Sequence, residues 1–159
     1  MYIKLKTVKA HEKMLAKESM KQEFDTLAEN FGKHDFPVQR GTINSIILGM
    51  DYINVEKKIN VALVLANAME RPVREIHAVL KVMLSEPDAK VAVVTINFDT
   101  DFMGELAFGE GIFVYVGIPV MGLKKDQHFS AREYSANLSD VRVTFAEANE
   151  PADDSANNQ

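Results

Sequence analysis

Apolar residues recur along the chain with two different periods. From Thr7 to Gly32 they fall mostly three or four apart, at Leu15, Met20, Phe24, Leu27, Ala28 and Phe31, with charged residues of both signs between them. That spacing predicts one amphipathic helix, stopped by Gly32 and then Pro37. Its stripe is concentrated in the second half, so Phe24, Leu27 and Phe31 need a surface to cover them. From Gly41 to Ala146 the period is two. In 59–66 the odd positions Ile59, Val61, Leu63 and Leu65 are large, as on a strand with one core face. In 76–84 the even positions face in, leaving His77 and Lys81 outside. The run 91–98 turns Ala92, Val94, Ile96 and Phe98 inward. Further strands are predicted at 112–118 and 141–145, the latter with Val141, Val143 and Phe145 inward. The segment 43–53 is a less regular first strand in which Gly49 marks a bulge.

The connectors refine this picture. Glu86-Pro87-Asp88-Ala89 has the residues of a type I turn and predicts a hairpin between the strands at 76–84 and 91–98. The longer loop 67–72 is suited to cross from one sheet to another. The stretch 121–137 is polar and irregular and is expected to hold a short helix. About six or seven strands joined this way indicate an antiparallel sandwich rather than βαβ units. Three regions follow: a helix and linker over 1–40, an all-β sandwich over 41–146, and a tail over 147–159.

Composition limits the chemistry. The 159 residues include no cysteine and no tryptophan. A disulfide framework, a zinc finger, an iron–sulfur site and a thiol nucleophile are thereby excluded. The net charge of −5 divides unevenly, with +2 on 1–40, −3 on 41–146 and −4 on 147–159. An acidic chain of this kind is a poor phosphate-backbone binder, and no nucleic-acid partner is expected. The tail, with Glu147, Glu150, Asp153 and Asp154 among Ala, Asn and Ser, reads as a solubilising disordered segment. No apolar run is long enough for a leader or a membrane span, so a cytoplasmic chain without membrane insertion is expected.

Motifs for catalysis are missing. His11, His34, His77 and His128 show no metal-ligand spacing. No Gly-x-Gly-x-x-Gly, phosphate loop or Gly-x-Ser-x-Gly setting occurs. Asp99, Asp101 and Glu105 form an acidic loop of the kind a hard cation takes, but Phe102 and Met103 interrupt the pattern, and a solvated loop at the end of a strand is the better reading. No enzyme activity, cofactor or metal is expected. Phe113 and Tyr115 lie on the face opposite Ile112, Val114 and Val116, and that face needs a cover. Either it meets Phe24, Leu27 and Phe31 within the chain, or one of the two surfaces is left for a partner. Phe24, Leu27, Phe31, Phe113 and Tyr115 are therefore the candidate partner-binding residues.

Several segments resemble a known family. They are Gly41-Thr42-Ile43-Asn44, the run from Val61 to Asn67, Arg71-Pro72-Val73, the strand from Glu75 to Leu84, Phe98-Asp99, Met103-Gly104-Glu105-Leu106 and the closing stretch from Leu138 to Ala146. Together they resemble the Ig-like domain of bacterial S-layer assembly proteins of the accessory Sec system, or a related bacterial Ig-like module. The resemblance spans about two thirds of the chain. It departs where Gly111-Ile112-Phe113-Val114 stands in place of an aromatic, tryptophan-containing segment. It implies an Ig-like sandwich and a non-enzymatic accessory protein that assists export or assembly of a surface protein. The function expected is thus a protein-binding module that captures an extended client. The alternatives are a structural homo-oligomeric subunit of a phage or surface assembly, and a cation- or small-ligand-binding protein using the acidic loop.

Overall fold

The computed structural model describes residues 1–8, 12 and 16–146. Leu15, His11 and the tail 147–159 lie outside the described residues. In chain order the elements are β1 (Lys4–Thr7), α1 (Glu18–Lys33), β2 (Ile43–Ile53), β3 (Lys58–Asn67), β4 (Val73–Leu84), β5 (Lys90–Val91), β6 (Val94–Phe98), α2 (Thr100–Met103), β7 (Glu110–Met121), β8 (Gln127–Phe129) and β9 (Tyr134–Phe145). One sheet has the order β1-β7-β3-β2-β8, with β5 added to the end of β7; the other has the order β6-β4-β9. All pairings are antiparallel except that of β1 with β7. The chain is mostly β, with two sheets packed as a sandwich.

The core faces are those the alternation marks. Ile59, Val61, Leu63 and Leu65 of β3, Ile76 and Leu80 of β4, Ile96 of β6, and Ile112, Val114 and Ile118 of β7 form one buried cluster between the sheets. Val141, Val143 and Phe145 of β9 pack against it. The irregularity at Gly49 is a bulge, because the β2–β3 register shifts between Ile47 and Gly49. The loop 67–72 carries the chain from the first sheet to the second, as its length allows.

Three local expectations are corrected. The helix does not begin at Thr7, which closes β1; it spans Glu18–Lys33. Ile3 and Leu5 are buried and Lys4–Thr7 pairs with Glu110–Phe113 of β7. The run 91–98 is not one strand. Lys90–Val91 pairs with the end of β7, the chain crosses at 92–93, and only Val94–Phe98 pairs with β4. The turn at Glu86–Ala89 does close, with the Ala89 N–H donating to the Glu86 carbonyl at 3.2 Å. The short helix expected within 121–137 is instead the short strand β8. Its Phe129 side chain is buried, and Gln127–Phe129 pairs with Met50–Tyr52 of β2.

Asn67, fully buried, organises the crossover. Its amide donates to the carbonyls of Arg71 at 3.0 Å and Leu106 at 2.9 Å, and its side-chain oxygen accepts from the Met69 N–H at 2.8 Å. The loop leaving β3 and the loop entering β7 are thus held by one side chain. At the opposite end of the sandwich Gly122, with φ +97°, lies so close to the Asp88 backbone that an added Cβ would sit 1.9 Å from its carbonyl oxygen. Asn67→Ala removes the Asn67 partner of the Met69 N–H and of the Arg71 carbonyl and one of the two donors to the Leu106 carbonyl, and is expected to lower unfolding stability by about 2 kcal/mol in a urea titration. Gly122→Ala combines overpacking with backbone strain and is expected to lose at least about 3 kcal/mol by the same measurement.

Candidate protein-binding surface

α1 lies on the outer face of the first sheet, near β1. Phe31, 2% exposed, forms a second buried cluster with Ile3, Leu5, Val64 and Ala66, and Phe24, Leu27, Ala28, Phe36 and Phe113 pack around it. Backbone bonds fix the end of the helix to the first residues: the Ile3 N–H donates to the Phe31 carbonyl at 3.1 Å and the Phe36 N–H to that of Met1 at 2.9 Å. Phe31 and Phe36 stack at 4.6 Å. The Phe24 and Phe113 rings are 6.4 Å apart, and Phe113 meets Tyr115 edge-on at 5.0 Å.

The two surfaces that needed covers therefore cover one another. Phe24, Leu27, Phe31 and Phe113 meet within this chain, with Tyr115 at the border of the cluster, half-buried beside Phe113. Burial and the nearby carboxylate of Glu23 raise the Tyr115 pKa above the ordinary tyrosine value. Neither the helix stripe nor the Phe113 face is an open apolar patch.

The polar candidates stay apart. Asp99 caps α2, its carboxylate accepting from the Phe102 N–H at 2.9 Å, while Asp101 and Glu105 are exposed. Among the described residues no three His, Asp or Glu side chains are placed to hold a metal ion. His34 bonds the Asn30 carbonyl on α1, His77 contacts Asn97 at 2.5 Å on the outer face of the second sheet, and His128 pairs with Asp51 at 2.7 Å between β8 and β2. Among the described residues no helix is long and apolar enough to cross a membrane.

The sheet edges remain as candidate binding surface. A sheet edge offers a row of backbone donors and acceptors to an incoming strand, and most proteins blunt it with charge, proline, a bulge or brevity. β8 is three residues long. β9 is interrupted by a bulge where Asp140 adopts φ +51°, and it carries Asp140 and Arg142. On the side of β7 away from β3, pairing with β1 ends at Phe113 and pairing with β5 begins at Val120, so the gap is closed at both ends. β6 is five residues long and carries no charge, proline or bulge. Val94–Phe98 pairs with β4 in unbroken register, and among the described residues no strand pairs with its other edge. The run 91–98 contains no charge, glycine or proline. Thr95 and Asn97 are exposed on its solvent face, and Val93, just before it, is 57% exposed.

This edge was not among the residues expected from the pattern, which pointed to Phe113 and Tyr115. The signal available was the lack of charge over 91–98, shared with 41–50, 59–69 and 111–123, and a strand at an unprotected edge and one in the core both lack charge. Periodicity alone does not separate them. A comparison of the chain with family models, curated proteins and solved structures finds no match.

Phe31→Ala removes the ring at the centre of the helix–sheet layer and is expected to cost about 3–5 kcal/mol in urea unfolding. Tyr115 has its pKa raised on folding, so its contribution is complete below the unfolded tyrosine value and is lost as pH rises through the folded one. Tyr115→Phe is accordingly expected to retain its melting temperature further into alkaline pH than the native chain, followed by thermal unfolding above pH 9.

Proposed function

We propose that this chain is a non-enzymatic protein-binding module that takes an extended segment of a partner as an added strand along the outer edge of β6. The observation that carries the reading is the uncharged, unbulged edge Val94–Phe98 in a molecule whose other edges are short, kinked or closed off. Strand addition draws affinity from main-chain hydrogen bonds and preference from side chains of alternate residues. Here Thr95 and Asn97 would read one face of the incoming strand, and Val94, Ile96 and Phe98 the other.

The strand order supports an Ig-like form of the sandwich. In that fold the first, second and fifth strands share one sheet, and the third and sixth share the other. β7, β3 and β2 lie side by side in that way, and β4 pairs with β9. The resemblance to S-layer assembly proteins would then make the partner a segment of an exported surface protein, and this chain its cytoplasmic accessory factor. The helix stripe, occupied by the chain's own sheet, is not part of the proposed contact.

Thr95→Lys places a charge on the edge without touching the core. The variant is expected to keep the native melting temperature. It should fail to retain a partner that, on the native chain, slows hydrogen exchange at those amides of Val94–Phe98 that point away from β4. Those amides protected in the isolated chain at every concentration, or a partner retained equally by Thr95→Lys, would refute the reading.

A further inference from the structure

We infer that Arg40 and Arg71, at the end of the sandwich where the chain leaves β9, form a carboxylate-binding site, and that the acidic residues following Ala146 occupy it. Each arginine lies over an aromatic ring. The Arg71 Cζ is 4.0 Å from the Phe145 ring centroid and the Arg40 Cζ 5.6 Å from that of Phe108. A guanidinium over a ring gives up one flat face and keeps its N–H groups in its own plane, the geometry that grips a carboxylate with two parallel bonds. Among the described residues neither guanidinium has an ion pair or a hydrogen bond. Glu70 and Glu105, the exposed carboxylates of the adjoining loops, pair with neither.

The backbone beneath the site is fixed around one buried residue. The Asn67 amide holds the Arg71 carbonyl at 3.0 Å. The Asn67 carbonyl accepts from the Gly109 N–H at 2.9 Å, next to Phe108. Its neighbour Ala68 accepts from the Gly41 N–H at 2.9 Å and donates to the Thr42 carbonyl at 3.1 Å, next to Arg40. Both cations and one of the rings are thus carried on backbone that has little freedom, which lowers the cost of binding.

The occupant follows from where the chain leaves. The Ala146 N–H donates to the Pro72 carbonyl at 2.9 Å, one residue from Arg71. Residues 147–159 carry Glu147, Glu150, Asp153 and Asp154 and no basic side chain, so this segment holds no cation of its own for them. In an extended continuation of β9, position 147 falls on the same side as Phe145, about 7 Å further on. Glu147 then faces the arginine stacked on that ring, and the later carboxylates serve Arg40. Tethering sets an effective concentration of the order of millimolar, at which exposed ion pairs too weak to join separate molecules still close. This contact does not depend on the strand-addition reading.

The chain contains no cysteine, so a nitroxide on Ser155→Cys is unique. In the full chain it is expected to enhance relaxation at the amides of Arg40, Arg71 and Gly109. Tethering alone brings some enhancement, so its charge dependence decides. It should fall about threefold in Arg40→Gln/Arg71→Gln and in about 0.5 M salt. It should fall equally in Glu147→Gln/Glu150→Gln/Asp153→Asn/Asp154→Asn, which alters no residue of the sandwich. Arg132→Gln, before the far end of β9, should leave it unchanged. Enhancement that is the same with and without the four carboxylates, or that falls as much in Arg132→Gln, would overturn the inference. A mixture of spin-labelled chain with isotope-enriched, unlabelled chain should show none. Enhancement in that mixture would place the acidic segment on a second copy and overturn the intramolecular contact.

Discussion

The architecture depends on the burial of β3 from both sides. Leu63, Val64, Leu65 and Ala66 are consecutive and all 0% exposed. A strand at the centre of a two-layer sandwich shows one face to water; this one shows neither. The second sheet covers the odd positions, and α1 with β1 covers Val64 and Ala66. The N-terminal segment is thereby a third layer over the first sheet. Close approach follows from the same requirement. Gly111 lies where a Cβ would come within 2.8 Å of both Ile3 and Val64, so β1 can lie this near β3 only across a residue without a side chain.

Where local patterning and tertiary burial agree, the sequence was legible. The core faces of β3, β4 and β7, the bulge at Gly49 and the crossing after Asn67 could all be read from alternation and turn chemistry. The failures share a physical cause. β1, β5 and β8 span two to four residues, too few for a period to register, and each is fixed by the long strand it joins. The break at 92–93 is invisible because both halves of the run are apolar, although the halves join different sheets. The pairing of Phe24 and Phe31 with Phe113 was one of two open answers, since amphipathicity says that a face must be covered and not by what. The role of Asn67 was missed altogether: a polar residue at the end of a strand looks like ordinary loop chemistry until its three partners converge on it.

The edges of the two sheets differ in how they are protected. β9 is long and partly exposed, yet its bulge and the charges of Asp140 and Arg142 make it a poor template. β6 is five residues long, unbulged and neutral, and the Asn97 side chain joins it to His77 of β4. Charged residues make up 26% of the chain, yet 91–98 carries none, and the same holds for the longer runs 41–50, 59–69 and 111–123. An edge of this kind is a liability in an isolated domain. It becomes useful where a defined strand waits to fill it, and an edge no wider than five residues limits what else can pair there.

The parallel pairing of β1 with β7 bears on how the chain is made. Lys6 and Glu110, joined across that pair, are 104 residues apart in sequence. During synthesis the first strand and the helix leave the ribosome well before the strand that receives them. At about 5–20 residues per second the aromatic face of α1 waits several seconds for Phe113. Its partner surface on β3 is half-built until β7 arrives, so closure of the helical layer is a late event that follows completion of the first sheet. A nascent chain stalled before Glu110 would present Phe24, Leu27 and Phe31 to whatever binds apolar helices near the exit tunnel, and release of that hold would report that the sheet beneath had formed.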